Sequence, residues 1–187
     1  MRFLPDAAGR VRVPGKGVAS EPPVPADPAP HRFLSTRRHT IGPDSCFICG
    51  RPIPEGSPQR TREHVFPKWL LRQLGLAEST LTSINRQTIG YYQLTVPCCR
   101  TCNGVDFSAI EKRVQVAFSA GLDAVRRLDR RDLFLWLGKI YYGVVYAESL
   151  RRADVRDPAS PPLVPEEHLE SIRFHHFLLQ AASGAVQ

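Results

Sequence analysis

Two Cys-x-x-Cys pairs constrain this chain more than any other feature. Cys46 and Cys49 lie in CFICG, and Cys99 and Cys102 lie in CCRTCN. Each pair spans one tight turn that can present two sulfurs to a single ion. Two such turns complete a tetrahedral thiolate site with bonds near ~2.3 Å. A site of four sulfurs is closed to substrate, so Zn²⁺ held there is structural. Cys98 is the fifth cysteine. The spacing from Cys98 to Cys102 also suits a metal, but Cys99 is favoured because it completes a second Cys-x-x-Cys. The competing reading is a redox dithiol. The opening MRFLPDAAGR contains no apolar run of secretory type, so the chain is expected to be cytoplasmic, where thiols stay reduced and metal ligation is the better account.

Charge narrows the partners. Lysine and arginine number 25 against 18 aspartates and glutamates, a formal balance of +7. That surplus attracts polyanions and points to nucleic acid. The longest apolar stretch, LFLWLGKIYYGVVYA, is broken by Lys139 and falls short of the roughly 18 apolar residues of a membrane span, so no membrane role is expected.

The expected fold class is α+β, in three parts. Residues 1–40 include VPGKGVASEPPVPADPAPHR, rich in Pro, Gly and Ala without apolar periodicity, and read as a disordered basic tail. Residues 41–118 hold every chemical motif. There PKWLLRQLG predicts a short helix closed by Gly75, residues 76–90 a loop, and YYQLTV at 91–96 a strand. Phe107, Ile110, Val114 and Phe118 then recur at helical spacing. Residues 119–187 read as a helical extension. Leu133, Trp136, Leu137, Ile140, Val144 and Ala147 form an apolar stripe, DPASPPLVP a linker, and HLESIRFHHFLLQ a further helix.

Between the cysteine pairs lies TREHVFPKWLL. The combination of CFIC, REHVFP and CRTCN over roughly residues 44–118 resembles the HNH endonuclease family. The resemblance implies a small ββα-metal module braced by zinc knuckles. It also implies that His64 is the general base and that Glu63 and the side-chain oxygen of Asn103 hold a catalytic divalent metal. Nucleic acid, double-stranded DNA in particular, is then the substrate.

The chemistry suits those residue types. Phosphodiester hydrolysis needs an activated water, neutralised phosphoryl charge and a stabilised leaving group. A neutral imidazole near pH 7 can accept the proton from water. Mg²⁺ or another hard divalent metal prefers a few oxygen ligands and keeps open positions for substrate. Arg62, Arg100 and Lys68 surround the motif and are the expected phosphate contacts. Two positions depart from the family. Glu63 stands where Asp or a second His is commoner, and Gln93 and Leu94 stand where a middle asparagine is usual. Gln93 can orient His64 or pin its loop, and Asn85 is a remoter candidate. The alternative is a catalytically inactive zinc-binding module on the same scaffold that binds DNA or a protein partner.

Overall fold

A strand pair and a helix carry the chemical motifs, and two long helices close over them. The computed structural model of the protein describes residues 40–183, so the expected tail at 1–40 lies outside the described residues but for its last position. In chain order the elements are β1 (Arg60–His64), α1 (Lys68–Gln73), β2 (Thr80–Thr82), β3 (Thr88–Gly90), β4 (Thr95–Cys99), α2 (Ser108–Ala120), α3 (Leu122–Arg126), α4 (Arg130–Ser149) and α5 (Leu169–Ala182). The fold is α+β. Two separate two-stranded antiparallel sheets accompany the helices, β1 with β4 and β2 with β3.

The β1–β4 register pairs Arg60 with Cys99, Glu63 with Val96 and His64 with Thr95. The second cysteine pair therefore begins where β1 begins, and the Glu63–His64 dipeptide sits at the opposite end. A wide turn over Cys102–Asp106 leads from β4 into α2. As expected, α2 buries Ile110 and Val114, with Phe107 buried just before it.

Two local expectations are corrected. Residues 76–90 contain the β2–β3 hairpin rather than a loop, with Arg86 at φ 65 in its turn. The hairpin is fixed by a distant partner: Glu148 on α4 accepts hydrogen bonds from the Ser83 hydroxyl (2.6 Å) and the Ile84 amide (3.1 Å). YYQLTV is not one strand. Tyr91–Gln93 form a 3-10 turn, and β4 starts only at Thr95. The helix after Pro67 is present, and Gly75 beyond its end has φ 67, a left-handed conformation that glycine takes without strain.

The extension shares one core with the motif-bearing region. Phe47, Ile48, Val96, Ile110, Trp136, Tyr142, Tyr146 and Leu179 belong to a single buried cluster. Trp136 on α4 stacks on Trp69 of α1 at 6.0 Å and lies 5.6 Å from the ring of Phe118 on α2. Tyr146 reaches from α4 to the loop before Cys46, where its hydroxyl accepts from the Gly42 amide at 3.1 Å and lies 2.9 Å from the Gly42 carbonyl. The expected stripe on α4 is present but for Leu137: Trp136 and Ala147 are buried, and Leu133, Ile140 and Val144 pack against the core. Leu137 is 50% exposed, whereas Leu135, Lys139, Tyr142 and Tyr146 are buried. Among the described residues no helix is long and apolar enough to cross a membrane.

Candidate zinc cluster and acidic cavity

The first cysteine turn is built by its own backbone. The Cys46 amide donates to the Arg51 carbonyl at 2.9 Å and the Gly50 amide to the Cys46 carbonyl at 2.8 Å, with Gly50 at φ 68 closing the turn. The turn is pinned to β4 by the Phe47 amide donating to the Pro97 carbonyl at 3.0 Å. Arg60 ties it to β1, donating to Asp44 at 2.6 Å and to the Ile53 carbonyl at 2.8 Å.

These contacts bring four sulfurs together. The Sγ atoms of Cys46, Cys49, Cys99 and Cys102 all lie within 4.8 Å of one another. A zinc–sulfur bond near 2.3 Å implies a tetrahedron edge of about 3.8 Å, and Cys49 and Cys99 are 3.8 Å apart. The donor set and its size fit zinc. The contacts among the sulfurs shift their pKa values in opposite directions. Hydrogen bonds from Cys102, Cys49 and Cys98 hold the Cys46 thiol far below its usual range, so one sulfur is readily ionised. Cys49 is pushed up to about 12: a hydrogen bond from Cys102 favours its thiolate, but its bond to Cys46, burial and the charge on Cys46 together outweigh that. Cys102 is pushed up too, first by its hydrogen bond to Cys46. Four thiolates at this spacing need a cation between them. All five cysteines are free thiols. Cys98 is buried with Sγ 3.9 Å from that of Cys46, yet it stands outside the mutual set of four. The choice of Cys99 over Cys98 agrees with the geometry.

The Glu63–His64 pair is divided by the pleat of β1, because successive side chains on a strand point to opposite faces. Glu63 faces Lys139 of α4 and the cavity it shares with Glu111 of α2, and Thr61 on the same face meets Asn103. Arg62 and His64 face the other way, where Arg62 donates to the Thr95 hydroxyl at 3.2 Å and the His64 ring meets Tyr92 edge-on at 6.5 Å. His64 is partly exposed. Burial, and then the charge of Lys68, lower its pKa below the usual 6.5, while the charge of Glu63 opposes them. Its surroundings therefore favour the neutral imidazole.

On the Glu63 side lies a cavity of about 310 Å³ whose wall includes Glu63, Asn103, Glu111 and Lys139. Asn103 does not cap the helix. Its Nδ2 donates to the Thr61 hydroxyl at 2.9 Å and to the Arg62 carbonyl at 3.3 Å. The Thr61 hydroxyl proton is already given to the Cys98 carbonyl at 2.8 Å, so Thr61 can only accept from Asn103. This fixes the amide orientation and leaves Oδ1 as the atom available to the cavity. Glu63 and Asn103 are thus brought together, and His64 is not part of that wall.

Two residues at this cavity were not singled out as site residues from the sequence. Lys139, on α4, ion-pairs with Glu63 and lies 3.8 Å from Oε2 of Glu111. Glu111, on α2, accepts from the Trp69 indole at 3.2 Å, and burial raises its pKa against the opposing charge of Lys139. A lysine breaking an otherwise apolar helix was the signal available for the first. Two carboxylates and a carboxamide oxygen are hard donors of the kind that Mg²⁺ or Mn²⁺ takes, and the lysine ammonium already places a positive charge against them.

The other expected positions are accounted for. The Arg100 guanidinium donates to the Pro58 carbonyl at 3.3 Å and remains exposed, as does Lys68. Gln93 pins its own loop by accepting from the Gly90 amide at 3.1 Å. Asn85 donates to the Arg152 carbonyl at 2.9 Å and lines no part of the acidic cavity. Compared with family models, curated proteins and solved structures, the chain matches none of them.

Proposed function

We propose that the chain is a metal-dependent endonuclease of the HNH type that hydrolyses phosphodiester bonds in nucleic acid, DNA in preference to RNA. The observation that carries this reading is the convergence of the Glu63 carboxylate and the Asn103 amide oxygen on one cavity, beside a four-sulfur cluster and flanked by an antiparallel strand pair and a helix. When bound by Glu63 and Asn103, a divalent ion supplies charge stabilisation for the phosphoryl oxygens and the departing alkoxide. His64, whose neutral form is favoured by burial and by Lys68, accepts the proton of the attacking water on a ring nitrogen. Arg62 and Lys68 on the His64 side, with Arg100, hold the phosphates that flank the scissile bond. The formal charge of +7 favours the approach of such a polyanion.

Two observations favour a second reading, a zinc-braced module that binds DNA or a protein partner without cutting it. Glu63 is already engaged by Lys139, and His64 faces away from the cavity that Glu63 lines. A nicking assay separates the two. Zinc-loaded protein is incubated with supercoiled plasmid, with and without Mg²⁺ or Mn²⁺. The nuclease reading expects relaxed circles only when the divalent ion is added. Retarded but uncut plasmid under every metal selects the binding module.

A further inference from the structure

We propose that Lys139 is the resident counter-cation of the Glu63 and Glu111 carboxylates, and that a divalent ion binds there by displacing its ammonium from them. The inference rests on the metal-site reading of the cavity given above.

Lys139 arises from the middle of α4, within a stretch that otherwise buries apolar and aromatic side chains. Its side chain is 6% exposed, and Nζ reaches both carboxylates, in contact with Glu63 and 3.8 Å from Glu111. The ammonium also stands over the Phe107 ring, 5.2 Å from its centre, where the negative face of the π system adds to its hold. Two carboxylates sharing a cavity repel each other, and a buried charge left without a partner is strongly unfavourable. With no ion bound, the Lys139 ammonium is the cation that lies against both carboxylates. Lys112 also lines the cavity, from its exposed side, so the wall is formally neutral with Lys139 in place and carries −1 once that ammonium leaves.

A divalent ion and the ammonium compete for the same oxygens. Both cannot contact Glu63 at full strength, because a cation beside a cation in a partly desolvated cavity is repelled. The cavity is open to solvent, and the lysine stem is long and flexible, so the displaced ammonium can turn outward while its methylenes stay packed. The helical extension thereby sets the affinity of a site whose oxygen donors all lie outside it.

The test is a Mn²⁺ titration of zinc-loaded protein followed by electron paramagnetic resonance, on the wild type, Lys139→Met and Lys139→Arg. Zinc content is checked in each, so that the sulfur cluster is not the site being titrated. Removing the competing charge should tighten the Mn²⁺ midpoint in Lys139→Met by about tenfold or more, as expected for loss of one close like charge. Lys139→Arg should stay near the wild type. A purely structural lysine would lower melting temperature and leave the midpoint in place. A second measurement needs no variant: acetylation of Lys139 in the native protein, mapped by mass spectrometry, should rise as Mn²⁺ saturates. The proposal is overturned by an unchanged midpoint in folded Lys139→Met, by acetylation indifferent to Mn²⁺, or by absence of Mn²⁺ binding in both proteins. A protein that never nicks DNA but shows the shifted midpoint keeps this inference and loses the nuclease reading. One that nicks with an unshifted midpoint does the reverse.

Discussion

The Nε2–H of His176 donates to the carbonyl oxygen of Ile48 over 2.6 Å, joining α5 to the turn between Cys46 and Cys49. A carbonyl can only accept, so this contact fixes the tautomer. The ring is 1% exposed. Burial pushes its pKa down from 6.5 to about 4, with the neighbouring His175 adding to the drop; the bond to Ile48 and the negative charge of Cys46 oppose it. The folded state thus binds fewer protons than the unfolded state between those two values. Stability from this residue is fully present above pH 6.5 and is lost as the pH falls toward 4. A drop of that size corresponds to about 3 kcal/mol at most. Urea midpoints of wild type and His176→Gln should differ most near pH 7 to 8, and the gap should close toward pH 4.5. A gap that stays constant with pH would show that the ring does not titrate with folding.

The sulfur cluster predicts about one equivalent of zinc per chain. Cys46→Ser should lose the metal and unfold the region around residues 44–118, because that site closes the first turn onto β4 and the turn after it. Cys98→Ser should keep the zinc and cost little, since Cys98 stands outside the set of four. Metal analysis paired with circular dichroism reads both. A Cys98→Ser protein without zinc, beside a zinc-loaded Cys99→Ser protein, would exchange the two assignments.

The cysteine frame was legible in the sequence because a metal site needs only ligand type and spacing, and both are local. The motif around Glu63 and Asn103 points to a common place for the two, and they do line one cavity. What the sequence concealed depends on distant partners. The β2–β3 hairpin has one half-buried side chain on its short first strand, Leu81, and owes its shape to Glu148, which lies 65 residues beyond Ser83. On α4 the apolar period carries Leu137 into a stripe that holds elsewhere, and it does not reach Tyr142 and Tyr146, which are also buried. The tyrosines are buried by Phe47 from the first cysteine turn, 6.1 Å from each ring. In the sequence Lys139 reads as a break in an apolar run, because its carboxylate partners come from β1 and α2.

The edge of that stripe makes a sharp mutational contrast. Trp136→Ala removes a ring packed between Trp69 and Phe118 and should cost about 3–5 kcal/mol. Leu137→Glu, one position along, should change stability by less than about 0.5 kcal/mol because its side chain is half in water. Gly138→Val should cost about 1–3 kcal/mol, since even a Cβ there would lie 2.4 Å from the buried Leu179 side chain. Denaturant unfolding of the three variants checks the ordering. Equal losses at 136 and 137 would contradict the assigned face of α4.

Removal of the extension follows from the same contacts. A chain ending at residue 118 loses Trp136, Tyr142, Tyr146 and Leu179 from the common core, so it should be insoluble or unfolded even when zinc is supplied. A soluble fragment with cooperative thermal unfolding would show that the motif-bearing region stands alone.

The account turns on His64, and its nicking rate is the most direct measurement. Supercoiled plasmid is incubated with wild-type and His64→Ala protein of equal zinc content, in saturating Mn²⁺, from pH 5 to 8. The wild-type rate should climb as the imidazole loses its proton, with a midpoint below the ordinary 6.5 because burial and Lys68 favour the neutral ring. His64→Ala should lose on the order of 10²–10⁴ in rate while binding the plasmid as well as before. Cutting by His64→Ala at the wild-type rate would contradict the assignment of the base, and with it the chemistry proposed for this protein.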